Sequence, residues 1–197
     1  MTAYFVAFEG IDGCGKSTQA RRVAAAAGAH FTFEPGDTPL GKILRERLLD
    51  AHEPMTPTTE ALLMLADRSH HVASVIAPRL DRGERVVTDR FFGSTLAYQG
   101  WGRGVDLAPL VAATELAVGT YRPDLTVLID IPVAVAHGRR APDRRDRFEA
   151  AGSDFHERVR TGFLNLAEQY NWVVLDGSQD RATVDAAVDD ALRAIGW

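Results

Sequence analysis

An α/β fold with a central parallel sheet of five strands, flanked by helices, is predicted by three features of this chain. Short apolar, β-rich runs alternate with amphipathic segments from end to end. The first run leads directly into Gly10-Ile11-Asp12-Gly13-Cys14-Gly15-Lys16-Ser17, a G-x-x-x-x-G-K-[ST] octapeptide. The acids Glu34, Asp89 and Asp130 all fall at the carboxyl ends of later runs. Strands alternating with helices read as βαβ units, whose crossovers cover both faces of a twisted sheet. Ligands in such sheets collect at the carboxyl ends of the strands.

Taken in order, the first strand is Tyr4–Glu9, and the octapeptide joins it to a helix over Ser17–Ala27. A loop delivered by a strand and followed by a helix turns its backbone N–H groups inward. The helix N-terminus adds positive potential, and the result is a phosphate cradle. Lys16 is expected to reach the β- and γ-phosphates, and the Ser17 hydroxyl to complete a Mg²⁺ shell. The second strand, His30–Phe33, precedes amphipathic segments at Leu40–Leu49 and Pro57–Asp81. The third, Arg85–Asp89, is an apolar run closed by an acid, which suits an outer-shell Mg²⁺ carboxylate. A helix at Leu107–Thr120, a strand at Thr126–Ile131 and a helix at Pro132–Arg140 follow. Asp154–Tyr170, the strand Trp172–Leu175 and Ala182–Ile195 complete the pattern.

The 197 residues are 46 % apolar and 25 % charged, which suits one domain over residues 1–197 with a buried core. A net charge of −5 argues against a general nucleic-acid binder. No stretch approaches the roughly 18 to 20 apolar residues of a membrane span, and no secretory leader is visible. A soluble, cytoplasmic protein is expected. Cys14 is the sole cysteine, so no internal disulfide forms, and it reads as a small spacer in the loop. Lys16 and Lys42 are the only lysines. Between two helices, Arg139-Arg140-Ala141-Pro142-Asp143-Arg144-Arg145-Asp146-Arg147 packs five arginines into nine residues. Beside a phosphate loop, this run is expected to be a lid over residues 139–152. Closed over a triphosphate, it would supply charge and exclude water.

Phosphate loops serve GTPase switches, ATPase motors and small-molecule kinases alike. The chain contains no Asn-Lys pair for a guanine-reading N-K-x-D motif. The extra length of an ATPase coupled to a larger machine is also missing. The short distance from loop to C-terminus and the arginine-rich lid favour a P-loop fold of the nucleoside-monophosphate-kinase type.

The run Phe8-Glu9-Gly10-Ile11-Asp12-Gly13-Cys14-Gly15-Lys16-Ser17-Thr18 resembles the opening of bacterial thymidylate kinases. Glu34-Pro35-Gly36 and Thr38, with Arg45 beyond, look like the family's E-P-G-G-T…R element, and Asp67-Arg68 sits where the family keeps a phosphate-binding arginine. Asp89-Arg90-Phe91 followed by Ser94-Thr95-Leu96-Ala97-Tyr98-Gln99-Gly100 resembles its D-R-[YFH]-x-x-S-x-x-A-Y-Q-G block. Pro123-Asp124-Leu125-Thr126, then Asp130, resembles its P-D-L-T…D strand.

The resemblance covers essentially the whole chain. It implies transfer of the ATP γ-phosphoryl to thymidine 5′-monophosphate, with Mg²⁺, in a homodimer. Gly10 to Thr18 would hold ATP. Arg45, Arg68 and Arg90 would clamp the acceptor phosphate, since guanidinium forks bind phosphate bidentately. Asp12 would contact either the acceptor's 3′-hydroxyl or the metal's water shell, and Glu34 would orient the acceptor or nearby arginines. Gln99 and Thr95 would read the base, with Tyr98 beneath the deoxyribose. Neither Gly13 nor Cys14 is basic, so the catalytic arginine is expected from the lid. There Arg147 resembles the family's residue, and Arg139 and Arg144 compete for that role or for stacking on adenine. The backbone at Asp176-Gly177-Ser178 would approach adenine.

The chain departs from the family pattern at three places. Met64 stands where a base-stacking phenylalanine is usual. Phe33 replaces an arginine, and Asp37 replaces a glycine, so that charge near the acceptor phosphate is expected to become more negative. A related kinase with a shifted pyrimidine acceptor is the alternative this raises. A non-catalytic nucleotide sensor is the other, but Lys16, Ser17, Asp89 and the lid arginines are intact. His70 and His71 read as a solvated or subunit-contacting face, and Trp101 and Trp197 as packing residues.

Overall fold

The computed structural model describes residues 3–139, 147–148 and 151–197. Five parallel strands form one sheet in the order β2-β3-β1-β4-β5. They are β1 (Phe5–Glu9), β2 (His30–Phe33), β3 (Val86–Asp89), β4 (Leu125–Asp130) and β5 (Val173–Asp176). Each lies within one residue of its expected limits. The central strand β1 is buried at every position, which is why Phe5-Val6-Ala7-Phe8 reads as an unbroken apolar run. The edge strand β5 alternates in exposure, and in the other edge strand, β2, only Thr32 is fully buried. Pairing of Phe8 with Asp89 and of Glu9 with Leu128 aligns the carboxyl ends of β3, β1 and β4.

Helix α1 (Lys16–Ala27) starts straight from the loop and stops at Gly28. Thr38 caps α2 (Pro39–Leu49), its hydroxyl accepting from the Gly41 amide at 2.8 Å. The segment expected as one helix over Pro57–Asp81 divides into α3 (Pro57–His71), a π-helical turn (Val72–Ile76) and α4 (Ala77–Leu80). Pro78 is the reason. It has no N–H to donate, and the amide before it, on Ala77, reaches back five residues to the Val72 carbonyl.

A second π-helical turn, Leu96–Gly102, continues α5 (Phe92–Thr95). It packs against α8 (Ser153–Tyr170) so closely that a Cβ on Gly102 would lie 2.6 Å from the Phe155 ring. Asp106 caps α6 (Leu107–Val118), and α7 (Val133–Gly138) and α9 (Arg181–Ala194) complete the layers. Trp101 packs on Gly162, and Trp197 lies 6.0 Å from the Tyr4 ring, so both are packing residues. No helix of the described residues is long and apolar enough to cross a membrane.

Candidate active site

The phosphate loop follows β1 and sits against β4 and α7. Gly10 has φ +139°, and a Cβ there would lie 2.5 Å from the Ile129 carbonyl oxygen, so only glycine lets the loop leave the sheet at this angle. Lys16 is buried, and its Nζ donates to Asp12 Oδ1 at 3.2 Å and to the Ile11 carbonyl at 3.4 Å. Ser17 and Thr18 are exposed in the first turn of α1. Cys14 is buried beneath the loop, and burial pushes its thiol above the usual range, against the pull of the Lys16 charge. Asp89, at the end of β3, keeps its buried Oδ1 without a hydrogen-bond partner.

Next to the loop opens a cleft. Glu34, Arg45, Met64, Arg68, Arg90, Thr95, Tyr98 and Gln99, expected separately along the sequence, all line it, and so does Asp12 from the loop. Arg90 follows β3 with φ 74° and donates to Asp12 Oδ1 at 2.5 Å, Ser94 Oγ at 2.8 Å and the Gly10 carbonyl at 3.3 Å. Burial works against its charge, but Asp12 and the groups around it outweigh that and raise its pKa well above the ordinary value. The Tyr98 hydroxyl donates to Asp12 Oδ2 at 3.0 Å. Burial pushes that phenol up despite the nearby guanidinium, so it stays a donor.

Arg68 is 2 % exposed, with Nε on Glu34 Oε2 at 2.7 Å, Nη1 on Thr95 Oγ1 at 2.5 Å and Nη2 on the Phe91 carbonyl at 2.8 Å. Burial alone would raise Glu34, but the Arg68 charge and His71 overcome it and hold the carboxyl below its usual range. Arg45 comes from α2 and donates to the Pro35 carbonyl at 2.6 Å.

A phosphate loop, an adjoining arginine-lined cleft and a five-stranded parallel sheet are the geometry on which relatives can be compared. The family model described as thymidylate kinase matches residues 8–188. The chain is 47 % identical to the thymidylate kinase of Geobacter sulfurreducens, with 96 % of each chain covered. It is 44 % identical to that of a Synechococcus strain over 98 % of each. Its structure is similar to the crystal structure of thymidylate kinase from Ehrlichia chaffeensis, with TM-score 0.80, 30 % identity and coverage of 98 % and 99 %.

The chain belongs to the thymidylate kinase family. Thymidylate kinases use ATP to convert thymidine monophosphate to the diphosphate on the way to dTTP. This chain is an enzyme of that kind, a transferase with the family's P-loop fold.

Expectations about several kinase side chains change with the structure in view. His71 is not solvated. It is 0 % exposed, with Nδ1 2.8 Å from Glu34 Oε1 and Nε2 2.5 Å from Thr32 Oγ1, whereas His70 is exposed. The helix turns one of two adjacent histidines inward, where Glu34 needs a second donor. Asp37 does not lie in the cleft. Its Oδ2 accepts from Thr32 Oγ1 at 2.5 Å, so its charge joins the His71 network. Phe33 stacks on Phe31 at 6.3 Å and carries the Arg45 guanidinium over its ring at 5.8 Å.

In the lid, Arg144 lies outside the described residues. Arg139 donates to the Gly177 carbonyl at 3.0 Å, beside the turn after β5. The structure does not bring Arg147 to the phosphate loop. Its guanidinium donates to the carbonyls of Leu48, at 3.2 Å, Asp50, at 2.8 Å, and Glu53, at the end of α2, where unpaired helix carbonyls attract a cation. Phe148 beside it meets the Tyr98 ring edge-on at 5.5 Å and lines the cleft.

Reading of motifs gave no role to Glu9 or Glu60. Glu9, 1 % exposed, accepts from the amides of Phe91 and Ser94 and from Ser94 Oγ, and so fixes the backbone that presents Arg90. Burial raises its pKa despite these donors. The visible signal was a charged residue closing the buried first strand. Glu60, 2 % exposed, accepts from Gln99 and Arg103, and four-residue spacing from Met64 and Arg68 was its only signal.

Proposed function

We propose that the cleft binds thymidine 5′-monophosphate and that the loop presents the ATP γ-phosphoryl to it. The observation that carries this reading is the place of Asp12. One loop carboxylate accepts from Lys16 on the donor side and from Arg90 and Tyr98 on the acceptor side, so the two phosphate sites are tied through a single residue. Transfer between two anions needs their repulsion cancelled and the acceptor oxygen held in line. Lys16 and the loop amides hold the donor, and Arg90 and Arg45 hold the acceptor phosphate. Arg68, expected with them on the acceptor phosphate, is instead tied to Thr95 deep in the cleft with Met64 and Gln99 nearby, and on this reading faces the base end. Tyr98 lies under the sugar.

Mg²⁺ fits the residues present. Asp89 keeps an unpartnered buried carboxylate oxygen at the strand end, and Ser17 exposes its hydroxyl at the helix start. Among the described residues no group of three His, Cys, Asp or Glu forms a cage, which suits a cation that keeps water and phosphate ligands. When bound, the ion neutralises charge on the transferring group. The lid over residues 139–152 of this single domain supplies the remaining positive charge through Arg144 and Arg147, with Arg139 toward adenine. On closure, Arg147 exchanges its carbonyl seat on α2 for the phosphoryl group.

A cytoplasmic homodimer completes the proposal. Leu62 on α3 and Leu116 on α6 are 59 % and 85 % exposed, on two helices that pack together. Light scattering checks it: a dimer is expected, and Leu116→Arg should shift it toward monomer. The activity is tested by coupled ADP release with Mg·ATP and thymidylate, deoxyuridylate, uridylate, deoxyguanylate and adenylate. A dominant thymidylate response is expected. Preference for another acceptor would overturn the assignment of the cleft.

A further inference from the structure

On one face of α3, Glu60, Met64 and Arg68 follow at four-residue steps, and on the facing segment Thr95, Gln99 and Arg103 do the same. The two rows are cross-linked at both ends. Arg68 donates to Thr95 at 2.5 Å at one end. At the other, Gln99 Nε2 donates to Glu60 Oε1 at 2.9 Å, and Arg103 Nε donates to the same oxygen at 3.2 Å. Glu60 and Gln99 are 2 % and 1 % exposed, so neither exchanges these bonds for water.

A primary amide can turn over and present either its NH₂ or its carbonyl. A carboxylate removes that freedom, because it accepts and does not donate. With one Nε2 N–H engaged by Glu60 the amide cannot turn over, so Gln99 offers the cleft its carbonyl oxygen in a fixed orientation, while one N–H remains on Nε2. Arg68 has one bond on each of its three nitrogens and keeps two N–H groups unspent. The base end of the cleft therefore presents an acceptor beside a donor.

We propose that Glu60 is a specificity-determining positioning residue. By fixing the Gln99 amide, it makes the cleft accept a pyrimidine that offers an N3–H next to a carbonyl, as thymine and uracil do. It rejects one that offers a bare ring nitrogen next to an amino group, as cytosine does. Cytosine would set a lone pair against the Gln99 carbonyl and an amino group against the Arg68 donors, leaving buried polar groups unpaired. Arg103 shares the carboxylate and keeps it from turning away. This inference rests on the reading of the cleft as a pyrimidine-nucleotide site.

The test compares kcat/KM for thymidylate and deoxycytidylate in the wild type, in Glu60→Gln and in the charge-balanced Glu60→Gln/Arg103→Gln. Urea unfolding checks that each variant is folded. The wild type should favour thymidylate by at least about 10³-fold. In either folded variant that ratio should fall at least about tenfold, through a higher KM for thymidylate and the appearance of deoxycytidylate turnover. An unchanged ratio would overturn the proposal, because loss of packing alone would weaken both substrates together. Should both variants fail to fold, the wild type itself decides by NMR. A slowly exchanging Gln99 side-chain N–H supports the bond to Glu60, and a freely exchanging amide refutes it. A wild-type enzyme that ignores thymidylate would sink the cleft assignment instead, and the NMR result would stand apart from it.

Discussion

The phosphate loop and the acceptor cleft meet at Asp12, yet they are built by different means. The loop is one contiguous run whose function lies in backbone amides, glycine conformations and one lysine. The cleft is a set of side chains from β2, α2, α3, β3 and the α5 region. They are held in place by buried carboxylates such as Glu34, Glu9 and Glu60. A backbone cradle is specified locally and tolerates change around it. A side-chain network depends on every partner, since removing one leaves another buried and unsatisfied. Damage to the loop should therefore appear in turnover with the fold intact, and damage to the cleft should appear in both binding and stability.

Lys16→Ala gives the sharpest form of this contrast. Its kcat should fall by at least about 10³-fold while urea unfolding changes little. A large loss of stability would erase the distinction. Arg68→Ala should combine a fall of about 10²-fold in kcat/KM for thymidylate with roughly 3–5 kcal/mol of destabilisation, since it strands the Glu34 charge. Wild-type stability in that variant would mean the network is not cooperative.

Arg147→Ala lies between the two regions, because on the proposed closure its side chain leaves the carbonyls at the end of α2, beside the cleft residue Phe148, to serve the donor. Its kcat should fall about 10²-fold and the acceptor KM should rise as well. A fall in kcat alone would show that the seat on α2 does not matter.

Asp67 tests the network by pH. Burial and the Glu34 charge push it up to about 6, and the neighbouring Arg68 and His71 offset only part of that. Neither of its carboxylate oxygens has a hydrogen-bond partner. The folded protein therefore holds this proton more tightly than the unfolded chain does. The stability it contributes is complete below its ordinary value of 3.8 and is lost as pH rises through about 6. Asp67→Asn should accordingly be more stable than the wild type near pH 8, by about 1–3 kcal/mol, with the gap closing near pH 4. Equal pH profiles in urea unfolding would remove Asp67 from the account. The smallest effect is expected of Met64→Phe, which should lower the thymidylate KM by about two- to tenfold through ring stacking. An unchanged ratio of specificity constants across the acceptor panel would take residue 64 out of base recognition.

This division also explains what could be read from the chain. The five strands were legible because buried parallel strands are apolar runs, and the loop because its function is local spacing. Apart from Glu34, marked by its place at a strand end, the cleft residues were legible only through their resemblance to family motifs. Their supports were not, for one physical reason. Glu60, Glu9 and His71 act through partners 39, 85 and 37 residues away, and nothing in local pattern distinguishes a buried histidine from its exposed neighbour. The π-helical turns were likewise hidden, although Pro78 marked where a regular helix had to change its winding.

The position of Cys14 has a practical consequence. A thiol reacts as its thiolate, and this one is 2 % exposed and pushed toward the neutral form. Maleimide reagents should pass over it in the native protein. A single cysteine introduced at an exposed site such as Ser153, at the start of α8, would then carry a fluorophore with no need to engineer away the natural one. The protein is in that sense already prepared for optical recording of the proposed lid closure, with its own sulfur hidden beneath the phosphate loop.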